Sequence, residues 1–424
     1  MIHKTEDLSG AVIAPPSKSH THRAVIAASL SEGQSEIRNP SNSTDAMATI
    51  DACKTFVSSI KQSNNKLVVK RGLSLRAPPK TINCVESAAT IRFMTPIAAL
   101  AKGDTTLTGE TRLLKRPIQP LVDALKQLGV QCSSTRGYPP VKVHGGEIQG
   151  GNVSMVGDVS SQFITGLLLA CPLAQKNTQI DLTCEPESLP YIQLTLYLLK
   201  KYGIKITVSD DYRHYQIAGC QRYRAVNETV IGDFSSASFL LAAGAVTGSK
   251  VKLKGLNTTL PFQPDIMILN ILERMGVKLK FDAMSVEVLA GTLNGIKIDV
   301  RNIPDLVPIC AVLGCYAEGE TVIYNAGRLR LKESDRLSSM ATELSKMGAE
   351  ISETKEELRI NGPCHLQGCD TDSHFDHRIA MACSIAALGA KGETQIHNAE
   401  CINKSYPNFF IDLAELGGEI KLGQ

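Results

Sequence analysis

Residues 232–248 read "GDFSSASFLLAAGAVTG". An aspartate and serines open the stretch, small and apolar side chains fill it, and a glycine closes it. Asp and Ser ahead of an apolar run are N-cap signals, and a glycine behind it is a C-cap signal. The run has no polar face, so a helix here must be covered on every side. Five further stretches share the pattern: "SKSHTHRAVIAASLSEG" (17–33), "VESAATIRFMTPIAALAKG" (85–103), "GDVSSQFITGLLLACPLAQ" (157–175), "IPDLVPICAVLGCYAEG" (303–319) and "FDHRIAMACSIAALGAKG" (375–392). Their polar clusters, indexed at Ser19, Ser87, Ser160, Ser235, Asp305 and Asp376, lie 68, 73, 75, 70 and 71 residues apart.

The segments between the apolar stretches recur as well. A strand-like piece comes first, such as "TQIDLTC" (178–184), "KVKLKG" (250–255) or "TVIYNAG" (321–327). An amphipathic helix with a late glycine and another strand come next, as in "PLVDALKQLGVQC" (120–132) and "LSSMATELSKMGAEI" (337–351). Helical apolar spacing ahead of a glycine identifies the helix and its end. Each unit therefore reads as βαβαββ. Its first helix needs neighbours to bury it, so three units make one domain and six make two. The join falls near Val226, in "RYRAVNETV" (222–230), while the strand "LSGAVIA" (8–14) can belong to either half.

A chain of 424 residues, 43% hydrophobic and 21% charged, is globular and too long for a single ordinary core. Its net charge of +3 supplies no general attraction for nucleic acid, so any cationic site is local. No apolar run is long enough to cross a bilayer and no secretion or transit segment is read at the N-terminus, which gives the expectation of a cytosolic protein. The 12 cysteines are scattered singly, as in a reduced intracellular protein. Cys364, His365 and Cys369 form the tightest group, but no second pair stands at zinc-site spacing.

The polar clusters stand at helix N-termini, where free N–H groups and the helix dipole attract anions. If two domains face each other across these ends, the space between them traps anions. "PPSKSHTHR" (15–23) carries Lys18 and Arg23 beside hydroxyls, more cation than a cap needs. Ser160, Ser161 and Gln162 offer uncharged donors. "RLRLKESDRL" (328–337) is the richest stretch, with Lys332, Glu333 and Arg336. Arg378 sits at the positive end of the last apolar helix, where an anionic ligand would explain it. Arg116 in "LLKRPIQP" and Lys404 in "NKSYP" add further cations, and Asp305 joins Glu333 as a balancing carboxylate. That pattern suits a small substrate bearing several phosphates or carboxylates. No Walker loop, dinucleotide fingerprint or zinc-protease helix is present, which argues against nucleotide hydrolysis and redox cofactors.

The ordered motifs "PPSKSHTHRA", "VSSQF", "SLPYI", "GDFSSAS", "IPD", "RLKESDRL", "DHRIAM" and "NKSYP" together resemble the 5-enolpyruvylshikimate-3-phosphate synthase family nearly end to end. The resemblance implies an α/β (α+β) fold, a two-domain inside-out α/β barrel of six βαβαββ repeats, three per domain. With the crossing points of that fold, the domains are expected at 13–226 and at 1–12 with 227–424. It implies transfer of the enolpyruvyl group of phosphoenolpyruvate to shikimate 3-phosphate by a cytoplasmic monomer, with no metal, no cofactor and no nucleic-acid or membrane partner. By the same resemblance, Lys18 touches both substrates. Ser19, Arg23, Ser160, Ser161, Gln162, Ser188 and Lys332 hold shikimate 3-phosphate, and Gln162 also reaches phosphoenolpyruvate. Arg116, Arg336, Arg378 and Lys404 clamp phosphoenolpyruvate, Asp305 accepts the proton of the attacking hydroxyl, and Glu333 protonates the methylene carbon.

Three positions depart from the family pattern. Where "GNAGTAMRP" is usual, this chain has "VESAATIRF": Ala88 replaces a glycine beside phosphoenolpyruvate, and Glu86 replaces an asparagine. The added methyl is expected to reduce sensitivity to glyphosate, which fills the same subsite. Arg328 stands where an asparagine commonly contacts shikimate 3-phosphate, so that contact is not carried over unchanged. The nearest rivals are the related UDP-N-acetylglucosamine enolpyruvyl transferase, whose cysteine is missing from "GETRLLKR" (109–116), and a non-catalytic anion-binding protein, which gains nothing from Asp305 and Glu333.

Overall fold

The six apolar stretches fold as the helices Lys18–Leu30, Ala88–Leu100, Ser161–Ala170, Phe234–Thr247, Val307–Tyr316 and His377–Gly389. The structure, a computed structural model, describes every residue except 6, 57, 58, 64, 72–74, 79, 422 and 424. Five of the six helices begin at a side-chain cap. Ser17 accepts from the N–H of His20, Ser87 from Thr90, Ser160 from Gln162, Asp233 from Ser235 and Asp376 from Arg378. The exception is Val307–Tyr316, which continues from a short 3₁₀ turn, Pro304–Leu306, and whose N-cap Leu306 brings no capping side chain. Asp305 lies in that turn, and its carboxylate goes elsewhere.

In four of the repeats the buried helix links two parallel strands of one sheet. In the third repeat, Gly151–Met155 runs parallel to Thr178–Leu182, which pairs antiparallel with His214–Ile217. In the fifth, Lys297–Asp299 runs parallel to Gly319–Tyr324, which pairs antiparallel with Leu358–Gly362. An amphipathic helix, such as Gln119–Gln127 or Arg336–Lys346, precedes the antiparallel hairpin. Among the described residues there are five sheets of four strands and one of three; they stay separate and do not close into a barrel.

The chain forms two compact units, Pro16–Val230 and Met1–Pro15 with Ile231–Gln424. The remaining two repeats explain where the junctions fall, because the strand ahead of each helix stays with the other unit. Ser9–Ile13, ahead of Lys18–Leu30, pairs parallel with Lys250–Lys254, and the ladder continues when the Ala14 N–H donates to Lys254 O at 2.8 Å. Glu228–Thr229, ahead of Phe234–Thr247, pairs parallel with Gln34–Arg38, and the Val230 N–H donates to Arg38 O at 2.9 Å. The junctions therefore lie a few residues beyond 12/13 and 226/227, the positions read from the sequence. The strand "LSGAVIA", open to either half on sequence alone, belongs to the unit containing 231–424.

Each unit has its own apolar core built around three buried helices. In the 16–230 unit, Ala88–Leu100 and Ser161–Ala170 approach backbone to backbone. A Cβ at Gly166 would lie 2.5 Å from Arg92 O, so only glycine fits. In the other unit, Phe234–Thr247, Val307–Tyr316 and His377–Gly389 contact one another directly. Packing three helices this way gathers their N-terminal side chains within one unit.

Candidate active site

In the 16–230 unit the first cationic group is Lys18, whose Nζ lies 2.9 Å from Asp45 Oδ2. Five residues on, Arg23 is 2% exposed and fully engaged. Its Nε donates to Thr195 Oγ1 at 2.8 Å, Nη1 to Ser19 O at 2.8 Å and Nη2 to Tyr191 O at 3.1 Å. The guanidinium also stacks over Phe93, 5.1 Å from the ring centre. Burial pushes its pKa down to about 10, so it remains a cation at neutral pH. Arg23 thus ties Ser19, at the start of its own helix, to Tyr191 and Thr195 on Leu189–Lys201. That second helix begins at Ser188, buried and in the left-handed conformation at φ 56°, ψ 43°. A left-handed non-glycine residue costs about 1–3 kcal/mol and persists where its surroundings over-determine it.

A second group forms around Arg92, a residue that the sequence reading did not single out. Its Nη1 donates to Gln162 Oε1 at 2.8 Å and to Ser160 Oγ at 3.2 Å. Its Nη2 donates to Pro117 O at 2.9 Å, next to Arg116, and its guanidinium stacks 4.8 Å over Phe163. One buried arginine therefore links three candidate stretches: 160–162, 116–117 and the helix beginning at Ala88. Ser161, Arg116 and Ala88 are all buried as well. Glu86, outside that helix, approaches Arg112 at 4.0 Å.

In the unit containing 231–424, the remaining candidates converge. Arg336, 1% exposed, reaches Asp305 Oδ1 at 2.7 Å, Glu333 Oε2 at 2.9 Å and Asp376 Oδ2 at 2.8 Å. Arg378 Nη2 reaches Asp305 Oδ2 at 2.9 Å, Lys332 Nζ lies 3.9 Å from Asp305, and Lys404 Nζ lies 3.9 Å from Glu333. The anion expected beside Arg378 is thus partly internal: it is Asp305, and Arg378 Nη1 is spent on Ser235 O at 3.0 Å. Arg328 donates to Arg301 O and lies near enough to Lys332 to act on its charge.

Burial alone would raise the pKa of Asp305, but Arg378, Lys332 and Arg336 outweigh it and hold the carboxyl well below its usual range. Burial lowers Lys332, with Arg328 and Arg336 adding to the effect against Asp305, and its pKa falls to about 8. Burial would also lower Arg336, yet Asp376, Glu333 and Asp305 together raise it, so it is a permanent cation. Deeper in, burial and then Asp305 push Asp265 up to about 7, and Ser235 Oγ donates to that carboxylate. Such an array of fixed cations around two reachable carboxylates can hold a multiply charged anion and exchange protons with it.

His20 and His22, the two histidines of "PPSKSHTHR", are both packing residues, each 1% exposed. His22 Nδ1 lies 2.6 Å from Thr49 Oγ1, and burial drops its pKa to about 3. Asp45, Arg92, Asp265 and the anchoring role of Asp376 are the functional neighbours that sequence reasoning missed. For Asp376 the signal was present, since "DHR" repeats the cap position of "GDF", and for Arg92 it lay in the arginine that "VESAATIRF" shares with "GNAGTAMRP"; for Asp45 it was not, because that residue sits at the start of an ordinary helix. Among the described residues no group of three or more His, Cys, Asp or Glu side chains could hold a metal, and no helix is long and apolar enough to cross a membrane.

A profile of the family EPSP synthase (3-phosphoshikimate 1-carboxyvinyltransferase) matches residues 2–413. The chain is 42% identical over 428 residues to the 3-phosphoshikimate 1-carboxyvinyltransferase of Methanococcus maripaludis, covering 100% of this chain and 99% of the relative. It is 43% identical over 429 residues to that of Methanocaldococcus jannaschii, with the same coverage of both. Among solved structures, EPSP synthase from Acinetobacter baumannii superposes with a TM-score of 0.84 at 26% identity, covering 100% of this chain and 99% of that one. The enolpyruvyl transferase NikO from Streptomyces tendae, at 22% identity and a TM-score of 0.82, covers 99% and 97% and shares the fold. With that match along almost its whole length, the chain belongs to the EPSP synthase family.

Proposed function

We propose that this chain transfers the enolpyruvyl group of phosphoenolpyruvate to the 5-hydroxyl of shikimate 3-phosphate, releasing phosphate. The observation that carries the reading is that Asp305 and Glu333, the two carboxylates able to move protons, share the guanidinium of Arg336 and are ringed by Lys332, Arg378 and Lys404.

Phosphoenolpyruvate brings a phosphate and a carboxylate, which Arg116, Arg336, Arg378 and Lys404 neutralise. Shikimate 3-phosphate is held by Ser19, Arg23, Ser160, Ser161, Gln162, Ser188 and Lys332, and Lys18 serves both substrates. In the free enzyme Asp305 is too acidic to be an effective base, because Arg378, Lys332 and Arg336 overcome its burial. An incoming anion takes a share of Arg336 and Arg378, weakens their hold on Asp305 and raises its basicity when the substrate hydroxyl needs it. Asp305 then takes the hydroxyl proton as the oxygen attacks C2, and Glu333 delivers a proton to the methylene carbon. Phosphate then leaves the tetrahedral adduct as the Glu333 carboxylate takes a proton back from the new methyl group, which forms the carbon–carbon double bond of the enol ether. Fixed cations that need not reorganise as charge develops supply the catalysis.

We read the enzyme as a cytoplasmic monomer that acts on two small anions and needs no macromolecular partner. The direct test is phosphate release from phosphoenolpyruvate with shikimate 3-phosphate or with UDP-N-acetylglucosamine as acceptor. Release with shikimate 3-phosphate alone is expected; release only with the nucleotide sugar, or with neither, refutes the assignment.

A further inference from the structure

We propose that Cys364 and Cys315 form a redox-active dithiol, with Cys364 as the thiol that reacts first and Cys315 as the one that resolves it to a disulfide. Neither residue has a part in the chemistry assigned to Asp305 and Glu333. Cys315 is near the C-terminal end of the buried helix Val307–Tyr316, whereas Asp305 precedes its start, and Cys364 comes just after the strand Leu358–Gly362. Their backbones are joined, since the Cys364 N–H donates to Cys315 O at 2.7 Å. That bond places the two residues side by side, the close approach that a disulfide needs.

The junction is also fixed. A Cβ at Gly362 would lie 2.6 Å from Gly314 O, 2.4 Å from Ala317 O and 3.2 Å from Cys315 O, so the strand end is pressed directly onto the helix end. The two thiols differ in the way a reactive pair requires. Cys364 is half-buried, whereas Cys315 is buried. The Cys315 thiol is the largest influence on Cys364 and, with a backbone contact at Glu350 and the nearby His365, outweighs burial and the Glu350 charge to lower its pKa to about 6. The same contact, reinforced by burial, raises Cys315 well above an ordinary thiol. Cys364 Sγ donates to Asn361 O at 3.2 Å, and a half-buried thiol of lowered pKa beside a buried thiol of raised pKa is the arrangement in which attack and resolution fall to different sulfurs.

The oxidant is a small disulfide, RSSR. The Cys364 thiolate attacks one sulfur, forming Cys364–S–S–R and releasing RS⁻. Cys315 then attacks the Cys364 sulfur; its proton goes to the departing RS⁻, leaving the Cys315–Cys364 disulfide and a second RSH. Two electrons pass from the protein to RSSR, and excess thiol reverses both steps. The product fastens the strand end to the helix end across a junction that is already closed.

The full chain, incubated with 2-hydroxyethyl disulfide and digested without reductant, should yield a Cys315–Cys364 cross-linked peptide that disappears on treatment with dithiothreitol. In Cys315→Ser, Cys364 should instead retain the 2-hydroxyethyl adduct; in Cys364→Ser, Cys315 should stay unmodified. The proposal is overturned if the unmutated chain keeps a stable adduct on Cys364, bridges Cys364 to another cysteine, or labels exposed Cys220 while Cys364 stays free.

Discussion

The guanidinium of Arg336 lies 2.7 Å from the carboxylate of Asp305. The same group holds Glu333 at 2.9 Å and is itself locked by Asp376 at 2.8 Å. One buried cation therefore aligns the proposed base and the proposed acid, and its orientation depends on a third carboxylate.

Lysine cannot reproduce this. A single ammonium lacks the planar fork that serves three carboxylates at once. Arg336→Lys is expected to lower kcat/KM for phosphoenolpyruvate by on the order of 100-fold, the scale of losing one preorganised charge contact. Steady-state phosphate release measures it, and circular dichroism should show the fold retained.

Glu333→Gln keeps an oxygen for Arg336 but removes the transferable proton of a carboxyl group. Turnover is expected to fall about 100- to 10,000-fold, as for removal of a general acid, while phosphoenolpyruvate still binds. Calorimetric binding beside stopped-flow turnover separates the two effects, and undiminished turnover would remove Glu333 as the proton donor.

The repeat was legible because it is written in composition: buried helices must be apolar on every face, and that signature survives at each of the six positions. Strand ownership was not legible, since "LSGAVIA" and "NETV" pair with segments more than 180 residues away and no local pattern specifies the partner. Among site residues, Lys18, Lys332 and Glu333 stood out as charges at helix starts. Arg92 did not: "ATIRFM" reads as helix interior, and only packing against Gly166 and Phe163 turns its guanidinium toward Ser160 and Gln162. Asp45 was hidden for a similar reason, since its partner Lys18 lies on a different helix.

Lys332 gives the pH dependence a sign. With its pKa lowered to about 8 by burial, it is charged below that pH and loses its charge above it. Affinity for a phosphate-bearing substrate should therefore fall as pH rises through about 8, in the free-enzyme profile that kcat/KM for shikimate 3-phosphate reports. Lys332→Arg, charged throughout, should flatten that limb even if its absolute activity is lower. An alkaline limb unchanged in the variant would assign it to another group.

Ala88 is buried in the first turn of its helix, directly after the cap Ser87. Its methyl is the only side-chain atom that the family's glycine lacks, and it takes room from the phosphoenolpyruvate subsite on the family reading. Ala88→Gly should therefore tighten glyphosate inhibition by about tenfold or more, equivalent to roughly 1.4 kcal/mol. The cost is modest, because glycine in a helix loses about 0.5–1 kcal/mol relative to alanine. KM for phosphoenolpyruvate should move far less, since the substrate is already accommodated beside the methyl. The inhibitor titration and the substrate titration, run on the same two proteins, decide the matter: equal glyphosate inhibition in both would show that the Ala88 methyl does not limit the subsite.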